Sequence, residues 1–248
     1  MKKNKKFNYY RYFVENALND YKFKLIFLLL VILNGYVAID SNSDFGFFEA
    51  IYMAYTNPWI IAMVLFIVFL NTINIGILYK KNYSVIIRFN NKKDHICFIL
   101  KISLLVNSIV ILMCLMMSCI GLSLKTGGNF SMPIIKYNIN VIYYLPFHLI
   151  RFVVFVLLLS MIVYYSWYLL QYVGGIIITI ILSLPLIIYP ITVVAQKHFI
   201  LYYGYYLLLP IFDNLSIEIK YTVLQILLLA TINVILYNVC IKLKKDIV

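Results

Sequence analysis

Charge is what this sequence has least of, and acidic charge least of all. Nine Asp and Glu stand against 21 Lys and Arg in 248 residues, and charged residues make up only 12% of the chain. A soluble domain carries about 25% charged and about 45–50% apolar residues, so an apolar content of 64% excludes an ordinary water-soluble fold. Catalytic signatures are missing too. There is no GxxxxGK[ST], so the chain has no phosphate-cradling loop of its own and is not expected to hydrolyse nucleotide. HExxH, GxSxG, DxD and ExxxE are also absent. The four cysteines, Cys97, Cys114, Cys119 and Cys240, form no CxxC pair and read as small apolar fillers. His95, His148 and His198 sit in three separate segments, which disfavours a metal centre and leaves no cofactor expected on this chain. No acidic residue falls in the middle of an expected span, so a proton relay of membrane carboxylates has no evident members.

What is present is length in uncharged runs. A crossing helix takes about 20 apolar residues, which leaves room for about five to seven of them here. Charge-free stretches place six expected spans near 25–43, 51–79, 100–124, 144–171, 174–195 and 221–240. Between Tyr137 and Gln196 the only charge is Arg151. As one helix that stretch would be about 90 Å long, roughly three bilayer cores, so it must fold back. Gln171-Tyr172-Val173-Gly174-Gly175 marks the break, and Pro185 and Pro190 bend the second arm. Segment 199–211, FILYYGYYLLLPI, is too short to span and too apolar for a free loop. It reads as a re-entrant or interfacial outer element, with Gly204 as its turn and Pro210 as its terminator. Residues 1–248 thus read as a single all-α membrane domain.

Basic residues set the expected orientation. Segments 1–24, 80–101 and 241–248 hold seven, six and three Lys and Arg, whereas 40–50, 125–136 and 196–220 hold none, two and two. By the positive-inside rule, both termini are cytoplasmic. The first 24 residues do not read as a signal peptide, since no small-residue cleavage site follows them. Tyr10, Phe13, Val14, Ala17, Leu18 and Tyr21 share one face of a helix, with Arg11, Glu15, Asn16, Asn19 and Asp20 on the others. An amphipathic helix lying in the inner interface is expected, its Lys-rich start drawn to anionic membrane lipid.

Inside the spans the polar candidates are few. Arg151 is the one charged residue in an expected span. It reads either as a substrate or gating contact or, with Pro146 starting the helix, as a side chain snorkelling to the outer headgroups. Asn71, Thr72 and Asn74, with Asn107 and Ser108, either line a polar path or form interhelical hydrogen bonds.

The basic stretch NYSVIIRFNNKKDHICFILK runs from Asn82 to Lys101 and overlaps the expected inner loop 80–99. Topology alone accounts for Lys80, Lys81, Lys92 and Lys93. The order of Val85, Ile86 and Phe89 before the polar run Asn90–Asp94 points further, to a short amphipathic helix that presents Arg88, Phe89 and Lys93 to a soluble partner.

This layout resembles the permease subunits of type-2 ABC exporters. The likeness lies in the amphipathic start, six spans, inner termini, a coupling loop between the second and third spans and a re-entrant element before the sixth. Many members carry an acidic residue followed by a Gly-Thr pair in the loop, and this chain has no such motif. The resemblance implies that Asn82, Arg88, Asn90, Lys92 and Lys93 face a separate ATPase subunit, present in two copies, which binds the ATP and Mg. It also implies a second permease copy or a sister permease, a bacterial plasma-membrane location and an exported peptide of the bacteriocin or cytolytic kind. A nucleic-acid partner is not expected. A stand-alone membrane immunity or assembly protein, binding peptide or lipid without ATP coupling, is the alternative. A lipid-modifying enzyme has no catalytic set to draw on.

Overall fold

The computed structural model describes residues 2–40, 46–80, 92–136, 138–188 and 214–243. Helices dominate among them: α1 (Lys2–Asn19), α2 (Tyr21–Asp40), α3 (Phe47–Thr56), α4 (Pro58–Lys80), α5 (Lys92–Lys125), α6 (Val141–Ile188) and α7 (Leu215–Leu243). A small antiparallel pair, β1 (Ile134–Lys136) with β2 (Ile139–Asn140), separates α5 from α6. Among the described residues, four helical segments are long and apolar enough to cross a membrane: Ile60–Tyr79, Lys93–Lys125, Val141–Gln171 and Leu215–Lys242. The expected spans 25–43 and 174–195 fall on α2 and the second arm of α6, and both run into residues outside the described ones. The re-entrant element 199–211 lies outside them entirely.

Expected boundaries move, each for a local reason. The run 51–79 is two helices, because Pro58 holds Asn57 extended (φ −72°, ψ 120°) and its own missing N–H suits the first turn of α4. The loop 80–99 gives up its last eight residues to α5, which begins at Lys92 with Asp94 in the positive first turn. Ile96, Phe98 and Ile99 there are buried, a helical spacing that the charged neighbours mask in the sequence. Finally α6 starts at Val141 rather than Pro146. Asn140 caps it, accepting from the Ile142 N–H at 3.1 Å and donating to the Met132 carbonyl at 2.9 Å.

The expected fold-back is at Gln171, which adopts φ 62° and ψ −155°, a region that non-glycine residues rarely enter. A Cβ built on Gly175 would lie 3.0 Å from the Cβ of Trp167. Eight residues of straight helix are about 12 Å apart, so the two arms of α6 turn back on each other.

The bundle is organised around α4, which contacts α2, α3, α5 and α6. Val64, Leu65, Val68 and Phe69 at its centre are at most 1% exposed. Helix α7 is the reverse case and leans mainly on α6, with apolar residues exposed along most of its length. The amphipathic α1 does not turn its apolar face outward. Phe13 and Ala17 are buried, Phe13 meeting Tyr79 and Phe98 edge-on at 5.4 and 5.3 Å. The Tyr79 hydroxyl donates to the Phe13 carbonyl at 2.6 Å. Protein rather than lipid therefore receives this face.

Candidate functional site

Helix α6 carries Tyr144, His148 and Arg151 at spacings of four and three, which puts them on one face. Arg151 lies ten residues into the helix, about 15 Å from its start, with its side chain 2% exposed. The guanidinium is thus sequestered and does not snorkel. Nη1 donates to Glu218 Oε1 in a buried ion pair, and the Tyr144 hydroxyl donates to the same oxygen at 2.7 Å. Glu218 belongs to the first turn of α7, which begins six residues earlier than the expected 221 and is capped by Asn214, whose Oδ1 accepts from the Ser216 N–H at 2.9 Å. A carboxylate in that first turn is favoured by the helix dipole.

Two contacts fix the state of His148. Its Nδ1 lies 3.1 Å from Arg151 Nη2, which can only donate, and its Nε2 lies 2.9 Å from the Tyr55 carbonyl, which can only accept. His148 is therefore neutral, with its proton on Nε2. Phe147 packs one turn from Arg151, its ring centroid 5.8 Å from the guanidinium carbon, at cation–π distance.

Through Tyr55 this quartet joins a second polar group. The Tyr55 hydroxyl lies 2.9 Å from Ser118 Oγ and 3.6 Å from Cys114 Sγ, and Ser118 donates to Asn34 Oδ1. The Asn34 amide in turn bonds the Leu30 carbonyl at 2.7 Å. A continuous chain of buried polar groups thus crosses the bundle from α2 through α5, α3 and α6 to α7.

The asparagines of α4 and α5 are interhelical bonds. Asn71 donates to Asn107 at 2.7 Å, Asn107 to Thr72 at 2.8 Å, and Thr72 to the Val68 carbonyl at 2.9 Å, with all three side chains buried. Ser108 bonds its own helix at Leu104. Asn74 stands apart and donates to Asp20 at 3.2 Å, bracing the α1–α2 elbow. Membrane hydrogen bonds of this kind average about 0.6 kcal/mol, with a maximum of about 1.7. Asn107→Leu, which breaks two of them, is expected to lower stability by about 1–2 kcal/mol in unfolding from mixed micelles. Unchanged stability with lost activity would assign these residues to a path instead.

Of the proposed ATPase-facing residues, Asn82, Arg88, Phe89 and Asn90 lie outside the described residues. Lys92 opens α5, and Lys93 is exposed one residue on. Glu218, Tyr144 and Tyr55 had no place in the sequence reading, and His148 entered it only as a histidine too isolated to hold a metal. Their signal was present as the one-face spacing of Tyr144, His148 and Arg151, and as the helical phase of Glu218 with Thr222 and Gln225. Taking Glu218 and Lys220 as charges bounding a span hid it. No protein-family model, curated protein or solved structure matches this chain.

Proposed function

We propose that this protein is the transmembrane subunit of an ATP-driven exporter of hydrophobic or amphipathic peptides. In this reading six spans cross a bacterial plasma membrane, with both termini and the loop 80–99 on the cytoplasmic side. A separate ATPase subunit, in two copies with ATP and Mg, docks on that loop, and a second permease copy or a sister chain completes the assembly.

The observation that carries the reading is the seat of Phe13. Tyr79 ends α4 just before the basic loop and Phe98 lies in the second turn of α5 just after it. Phe13 of α1 is wedged between their rings, at 5.4 and 5.3 Å. A displacement of the loop by a docked partner is thus passed at once to α1, α4 and α5. Packed cores move between discrete arrangements rather than deforming smoothly, so such a clamp suits force transmission.

Co-purification tests this. The chain expressed with its native neighbours and extracted in mild detergent is expected to retain a soluble ATPase. The double variant Arg88→Glu, Lys93→Glu is expected to lose most of it while folding normally. If no ATPase binds the native chain, the stand-alone immunity or assembly reading replaces this one.

A further inference from the structure

Helix α7 is amphipathic in the reverse sense. Its exposed face is apolar, with Val223, Leu227 and Val234 all more than half exposed. Its protein-facing positions are Glu218, Thr222, Gln225, Leu229, Asn233 and Cys240, at most 6% exposed and spaced at threes, fours and a seven along one face. From Glu218 to Asn233 the polar stripe rises about 22 Å, most of a hydrocarbon core of about 30 Å. Leu229 alone interrupts it. Asn233 donates to the Leu158 carbonyl of α6 at 3.1 Å, whereas Thr222 and Gln225 have no hydrogen-bond partner among the described residues. Polar side chains inside a membrane-spanning bundle commonly mark a pathway, and a stripe of this length is more than fastening two helices requires.

At one end of the stripe stands Arg151. A guanidinium has five N–H donors. Nη1 serves Glu218 and Nη2 serves His148, while Nε is buried without a partner among the described residues. We infer that the seam between α6 and α7 is a passage for the substrate. Within it, Arg151 is the anion-recognising group, taking a carboxylate or other oxyanion of an amphipathic substrate in exchange for Glu218. The Tyr144 hydroxyl keeps Glu218 hydrogen-bonded while Arg151 is handed over. Because α7 leans mainly on α6, the exchange also loosens the helix that must move to widen the seam. This deepens the exporter reading by naming the substrate's recognised group, and its test needs no ATPase.

The four native cysteines are changed to Ser, and single cysteines are introduced as Thr222→Cys, Gln225→Cys, Val223→Cys and Leu227→Cys. The full chain, alone in liposomes, is then treated with anionic or cationic water-soluble methanethiosulfonates. Thr222→Cys and Gln225→Cys are expected to react and the other two to stay silent. The anionic reagent should be faster on the order of tenfold, the low end of focusing by a charged cleft. Arg151→Gln is expected to abolish that preference, and Glu218→Gln, which unmasks the cation, to increase it. Silence at 222 and 225 makes the seam a dry interface and overturns the inference. So does a charge preference that survives Arg151→Gln or fails to grow in Glu218→Gln. Since no ATPase is present, these outcomes stand apart from the exporter reading, which fails only if no ATPase co-purifies.

Discussion

Glu218→Leu is expected to be the most damaging single substitution in the protein, lowering stability by about 3–5 kcal/mol. Removing the carboxylate leaves a guanidinium with a 2% exposed side chain and no counter-charge among its described neighbours, beside a neutral His148 that can only accept from it. Tyr144 loses its acceptor in the same step. Arg151→Leu should do comparable harm, stranding the carboxylate instead. The informative variant is the double one, Arg151→Leu with Glu218→Leu. Replacing a whole buried pair by apolar groups of similar size is often neutral, so the double change should recover most of the loss. Thermal unfolding of the purified chain in detergent reads all three. A double variant as unstable as the singles would mean that the lost energy lies in the wider polar chain through His148 and Tyr55. If Glu218→Leu alone proves harmless, the pair is a surface feature of a more open bundle.

How much of this was legible beforehand depends on which physical signal each feature uses. The fold class was legible because burying about 20 apolar residues in a row has few other meanings. The fold-back at Gln171 was legible because a span has a maximum length and glycines mark where it ends. Helix ends were less so, since they depend on caps: with Asn140 as its cap, α6 begins at Val141, five residues before Pro146, and Asn214 draws Glu218 into α7. The candidate site was half legible. Arg151 stood out as the lone charge in a run of apolar residues, but its partner lies 67 residues away, in a segment that looked like an outer loop. A pairing between helices leaves no local pattern in one sequence. The reversed amphipathicity of α7 was readable in principle, since Glu218, Thr222 and Gln225 keep helical phase. Locating spans by charge-free stretches discards that phase.

Gly76→Ala is expected to cost about 1–3 kcal/mol, although it adds only a methyl group. A Cβ at residue 76 would lie 2.6–2.8 Å from three carbons of the Trp167 indole, well inside van der Waals contact. The indole cannot retreat. Trp167 is 3% exposed, and the returning arm of α6 comes so close to the base of its side chain that a Cβ on Gly175 would sit 3.0 Å from the Trp167 Cβ. Trp167 is thus held between two glycines, one on α4 and one beyond the Gln171 turn, and their lack of side chains is what lets the three segments close up. Gly35 supplies the contrast: it is helical, and a Cβ there meets nothing within 4 Å. Gly35→Ala should therefore gain about 0.5–1 kcal/mol from helix propensity alone. Shrinking the ring with Trp167→Leu in the Gly76→Ala background should return part of the loss, a coupling of about 0.5–3 kcal/mol. If Gly76→Ala instead behaves like Gly35→Ala, Trp167 does not lock the second arm of α6 onto α4. The fold-back would then rest on the backbone conformation of Gln171 alone.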